Sequence, residues 1–108
     1  MSRILIRAVV LASALSSFRA GFAMADEAMA AIDNFTFTPA AMTIKAGEKV
    51  IFINHDDIPH NVVLANGASR SKALDTNDSF ALRFDKPGEF AYFCGLHPQM
   101  QGKIVVTP

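Results

Sequence analysis

Cys94 is the only cysteine in 108 residues, which excludes an internal disulfide and leaves the thiol to be explained in some other way. Basic runs are missing as well. Lys plus Arg equals Asp plus Glu over the whole chain, but beyond residue 25 seven basic residues face ten acidic ones, a net −3. A mildly acidic domain without a basic run has no electrostatic footprint for nucleic acid. The uncharged run Ala8 to Phe18 has 11 residues, against the roughly 20 a helix needs to cross a bilayer. Nothing beyond Asp26 keeps helical spacing for three turns, and there is no internal repeat, low-complexity tract or linker. The length allows one small domain and no second core.

What the first 25 residues do contain reads as an export signal. Arg3 and Arg7 form a basic start, Ala8 to Leu15 an apolar middle, and Ala23-Met24-Ala25 a small-x-small cleavage site. Arg19 interrupts the stretch before cleavage, and Ala28-Met29-Ala30 offers a second small-x-small site. The expectation is a signal peptide over residues 1–25, a mature domain over residues 26–108 with no membrane span, and a periplasmic location. A lone thiol in an oxidising compartment then needs an occupant. A bound metal supplies one, and its binding energy adds to that of a small core.

The mature chain is a series of short alternating segments broken by Gly, Pro, Asn and Asp, the pattern of a sheet protein. Phe35 and Phe37 are placed on one side of a strand, followed by Met42 and Ile44. Lys49 to Asn54 follows with apolar residues on both faces, and then Asn61 to Leu64. Asn66 to Asp78 reads as a connection with at most one irregular strand. Phe80, Leu82 and Phe84 alternate up to the turn at Asp85-Lys86-Pro87-Gly88; Phe90, Tyr92 and Cys94 continue with the same period, and Ile104 and Val106 close the chain. Seven or so such strands predict an all-β, two-sheet Greek-key sandwich.

The chemistry is concentrated in Cys94-Gly95-Leu96-His97-Pro98-Gln99-Met100. A thiolate, an imidazole and a thioether follow at three-residue intervals just as a strand ends. The strand end fixes Cys94, and a short loop can curl His97 and Met100 back to the same point, its freedom reduced by Pro98. A fourth donor must come from His55 or His60. His60 lies between Pro59 and the apolar run Val62-Val63-Leu64, whereas His55 sits in the polar stretch Asn54-His55-Asp56-Asp57 and reads as a solvated surface residue. Asp56 and Asp57 carry no partner that marks them as catalytic, and no open coordination position remains for an enzyme. His60, Cys94, His97 and Met100 are thus the expected metal ligands. Two imidazoles and a thiolate with a weak axial thioether suit one copper ion cycling between Cu(II) and Cu(I); zinc also accepts Cys and His, but the thioether favours copper.

These stretches carry a resemblance. Ile53-Asn54 through Ile58-Pro59-His60-Asn61-Val62, together with Tyr92-Phe93-Cys94-Gly95-Leu96-His97-Pro98-Gln99-Met100-Gln101-Gly102-Lys103, resemble the cupredoxins, most of all the amicyanin type with its two residues between His97 and Met100. The resemblance implies a type 1 blue copper site, with His60 as the inner ligand and His97 as the ligand whose edge reaches the surface. It also implies that Asn61 braces the two ligand loops. Leu96 and Pro98 are expected to ring that edge. A redox donor and acceptor, such as a dehydrogenase or a c-type cytochrome, would dock there transiently on a monomer. Gly95-Leu96 stands where amicyanins usually have Thr-Pro, which implies a different hydrogen-bonding environment around the metal. A copper chaperone or storage module is the competing class; it would bind Cu(I) and pass the metal on instead of the electron.

Overall fold

Period-two alternation fixes which residues meet across the core. The computed structural model describes residues 27–108, so the expected export signal lies outside the described residues. The strands are β1 (Glu27–Asp33), β2 (Thr36–Thr38), β3 (Ala41–Lys45), β4 (Glu48–Asn54), β5 (Val63–Leu64), β6 (Ser79–Phe84), β7 (Gly88–Phe93) and β8 (Gln101–Thr107). They form two four-stranded sheets, β2-β1-β4-β6 and β3-β8-β7-β5, packed as an all-β Greek-key sandwich. β1 runs parallel to β4 and β3 parallel to β8; the remaining pairs are antiparallel.

The longer strands bury one face more deeply than the other. Val50, Phe52 and Asn54 of β4 are fully enclosed, while Ile51 and Ile53 on its other face are half-buried. Ala30 and Ile32 do the same for β1, and Ile104 and Val106 for β8. Tyr92 of β7 joins the sheets: its ring meets Phe37 and Phe52 edge-on at centroid separations of 4.7 and 5.2 Å, a favourable aromatic geometry. Across the β7–β8 ladder Tyr92 faces Gly102. A Cβ at position 102 would overlap the Tyr92 ring, so the glycine makes room for the largest buried side chain.

Two sequence expectations change. The alternation reading begins at Phe35 and passes over β1, whose Ala-rich segment carries little strand signal yet fills the sheet between β2 and β4. Phe35 and Phe37 do not share a strand face. Asn34 and Phe35 have φ of 52° and 58°, which turns the chain before β2 begins, leaving Phe35 47% exposed while Phe37 is buried. The stretch 66–78 is a connection, as expected: it holds no strand of its own, only isolated bridges of Leu74 to His60 and Arg70 to Val63.

Candidate metal centre

The loop that carries Cys94 closes a hairpin. Phe93 of β7 pairs with Gln101 of β8, leaving residues 94–100 to turn between them. Three backbone hydrogen bonds fold that turn on itself: Cys94 N–H donates to Met100 O (3.1 Å), His97 N–H to Cys94 O (3.2 Å) and Met100 N–H to His97 O (2.9 Å). The three-residue spacing is therefore the spacing of the turns. Cys94 and Met100 are buried, while His97 is half-buried between exposed Leu96 and Pro98.

His60 is held by a different device. At the end of β4, fully enclosed Asn54 donates through Nδ2 to Ile58 O (2.9 Å) and Leu74 O (2.8 Å) and accepts at Oδ1 from Asp56 N–H (2.9 Å). One amide thereby shapes the loop from 54 to 60, as a buried polar group with all its partners can. His60 itself bridges to Leu74, its N–H donating at 3.2 Å and its carbonyl accepting at 2.7 Å. The apolar run after His60 enters β5 at Val63, and this bridge to the 66–78 connection adds a second anchor. The ring is completely enclosed.

These two loops bring Nδ1 of His60 and Nδ1 of His97 each to 3.8 Å from Cys94 Sγ, and the three donor atoms lie within 4.8 Å of one another. Bonds of about 2.3 Å to sulfur and about 2.0–2.1 Å to nitrogen, opened to about 120°, would separate sulfur and nitrogen by about 3.8 Å; a tetrahedral angle gives about 3.6 Å. The cluster thus has the spacing of three donors to one metal ion. His60 Nε2 lies 2.7 Å from Asp56 Oδ2. Because a carboxylate accepts, Nε2 carries the proton and Nδ1 keeps its lone pair for the metal. His55 is exposed and outside the cluster.

Asn61 ties the two ligand loops together: its N–H points to Cys94 Sγ at 3.4 Å, and its Oδ1 accepts from Gly95 N–H at 2.5 Å. A Cβ at position 95 would come within 3.1 Å of that Oδ1 and 3.3 Å of an Arg70 guanidinium nitrogen, so the glycine clears this brace. Phe35 covers the cluster from the β1–β2 turn. Its ring meets His60 and His97 edge-on, with centroids 5.4 and 5.1 Å away. Leu96, 51% exposed, points outward beside them.

The Cupredoxin-like domain family matches residues 4–106. The chain belongs to that family. Among cupredoxins it is 34% identical over 87 residues to amicyanin of Paracoccus versutus, spanning 76% of this chain and 66%, just under two thirds, of that relative. With amicyanin-alpha of Methylorubrum extorquens it shares 32% over 117 residues, spanning 93% of this chain and 98% of the relative. Among solved structures, the purple cupredoxin of Nitrosopumilus maritimus superposes with a TM-score of 0.70 at 29% identity, covering 74% of this chain and 99% of that one. Amicyanin of P. versutus does so at 0.69 and 31%, covering 75% and 81%.

Asp56 and Phe35 are the residues around this cupredoxin site that sequence reasoning passes over. Asp56 Oδ1 accepts from Asn34 N–H (2.7 Å), and Oδ2 accepts from Phe35 N–H (3.0 Å) as well as from His60. The Phe35 N–H, followed by that of Asn34 and by His60, lowers the Asp56 pKa to about 2 against the opposing effect of burial. The four-residue offset from Asp56 to His60 was available as a signal. Nothing local ties Asp56 to a turn more than 20 residues upstream.

Proposed function

We propose that this cupredoxin is a type 1 blue copper protein that transfers single electrons between redox partners in the periplasm. The observation that carries this reading is the equal 3.8 Å approach of two imidazole Nδ1 atoms to one buried thiol. His60, Cys94, His97 and Met100 would hold copper, the thioether as a weak fourth donor. Copper bound there supplies a one-electron couple between Cu(II) and Cu(I).

The chain's own contribution is to keep the donors in place whatever the charge at the centre. Cys94 is fixed by the hairpin, His60 by Asn54, Asp56 and Leu74, and Asn61 joins the loops. Donors braced in this way need little rearrangement when an electron arrives or leaves. The same bracing favours a carrier over a chaperone, which must open its site to pass the metal on. The donor and acceptor, for which a dehydrogenase and a c-type cytochrome are suitable classes, would dock transiently on a monomer where His97 lies among Phe35, Leu96 and Pro98.

The expected export signal supports the compartment. Cleavage after Ala25 would leave β1 whole, whereas cleavage after Ala30 would remove four of its seven residues and their pairing to β4. The deciding experiment is to purify the exported protein, measure its metal content and record oxidised and reduced visible spectra. One copper per chain and an intense blue band bleached by reduction are expected, and Cys94→Ala should be colourless. A Cys94→Ala protein with the full band and copper content would sink the assignment.

A further inference from the structure

We propose that Asp56 is a positioning residue of the metal centre: one carboxylate orients the His60 ring and, through the Asn34 and Phe35 backbone, holds the Phe35 ring against both ligand histidines. The inference rests on the copper reading for its electrochemical consequence but not for its geometry.

Three donors converge on this one side chain: His60 Nε2–H and Phe35 N–H on Oδ2, and Asn34 N–H on Oδ1. The Asp56 backbone is itself tied down, donating to Asn54 Oδ1 and accepting from Thr76 Oγ1 at 2.6 Å. The carboxylate is therefore a fixed point and not a surface charge that happens to lie near a histidine.

Consecutive left-handed residues at Asn34 and Phe35 turn their N–H groups toward the same side, which makes a small anion-binding concavity. A phenylalanine resists that conformation by roughly 1–2 kcal/mol, so the turn needs a compensating partner, and the Asp56 carboxylate provides it. The turn in turn explains why a large aromatic ring is half out of the fold. Phe35 lies edge-on to His60 and His97, whose own ring centroids are 5.0 Å apart, and limits how far either can swing.

Asp56 thus acts at the site in two ways. A negative carboxylate on Nε2–H makes the His60 imidazole a stronger donor, which favours Cu(II) over Cu(I) and lowers the reduction potential. The Phe35 ring, positioned by the same two oxygens, packs edge-on against His97 and restrains it.

Asp56→Asn keeps the shape but removes the charge and one acceptor oxygen. Asp57→Asn is the matched control: it removes the same charge one residue away, from an exposed side chain outside the cluster. In the purified exported protein, Cu(II) titrated against a competing chelator should bind Asp56→Asn 10- to 100-fold more weakly. The reduction potential should rise in that variant, and Asp57→Asn should match wild type in both. NMR of the metal-free wild type should show a slowly exchanging His60 Nε2 proton and contacts of the Phe35 ring with both histidine rings, and Asp56→Asn should weaken those contacts. An affinity within about threefold of wild type with unchanged potential, or equal shifts in Asp57→Asn, would overturn the proposal. Should Asp56→Asn not fold, the wild-type spectra decide: a fast-exchanging Nε2 proton without Phe35 contacts rejects it, and a protected proton with them supports it. A protein that binds no copper but shows those signals would refute the copper reading and leave the Asp56 contact established.

Discussion

His60 is enclosed and hydrogen-bonded through its backbone and its ring, whereas the His55 side chain is exposed and its N–H donates to Ile32 O at 2.7 Å. His60→Ala should abolish the blue band, and His55→Ala should leave it nearly intact; the reverse pair of spectra would exclude His60 as a ligand. Tyr92 poses a different residue-scale problem. Its ring is an inter-sheet joint, yet its hydroxyl is buried without a hydrogen-bond partner, a condition that costs roughly 1–3 kcal/mol. Tyr92→Phe keeps the ring and removes the cost, so urea unfolding should show equal or greater stability. Burial also raises the Tyr92 pKa from 10.0 to about 12. The folded state then holds the proton after the unfolded state has released it. The associated stability is fully present below pH 10 and is lost as pH rises toward 12. That component of alkaline unfolding should be absent in Tyr92→Phe, and identical profiles would contradict it.

The β7–β8 hairpin loop is the element that would face a redox partner. Its turns send Cys94 and Met100 inward and Leu96 and Pro98 outward, and the β1–β2 turn adds Phe35 beside them. A small apolar patch around a half-buried ligand suits brief redox encounters, whose interfaces are small. Leu96→Asp places a charge in that patch, where docking must desolvate it. Because Leu96 is outside the core, the spectrum and potential should stay near wild type while stopped-flow electron exchange with a redox partner slows by about tenfold or more, equivalent to roughly 1.4 kcal/mol at the encounter. Exchange at the wild-type rate would remove Leu96 from the docking surface. Collapse of spectrum and rate together would make it a structural residue of the loop.

On the scale of the whole molecule, the metal would tie together two loops that are far apart in sequence. His60 lies outside the named strands, and its loop reaches the Cys94 loop chiefly through Asn61. An ion bound to both loops in the folded state alone adds stability according to its affinity, about 4 kcal/mol at a free concentration 1,000 times Kd. Stripping copper should therefore lower the melting temperature by several degrees without changing the far-ultraviolet circular dichroism. Equal melting temperatures with and without copper, measured by calorimetry, would show that the ion does not bridge the two loops.

Local pattern was enough for the sandwich and for the Cys94, His97, Met100 spacing, because alternation sets strand faces and a short loop after a strand leaves few places for its side chains. His60 could be preferred over His55 on the same ground, from the apolar run that follows it. Three other features depend on parts of the chain far apart in sequence. β1 is a strand because β2 and β4 flank it, not because Ala-rich residues favour one. Phe35 leaves its apparent alternation because the Asp56 carboxylate, 21 residues away, captures its N–H. Asp56 reads in sequence as one of two solvated acids, and only the packing of the β1–β2 turn against the loop after β4 makes it the partner of His60. Periodicity is a property of neighbours along the chain; the orientation of a metal-binding ring is set by hydrogen bonds that exist only once the sheets have closed.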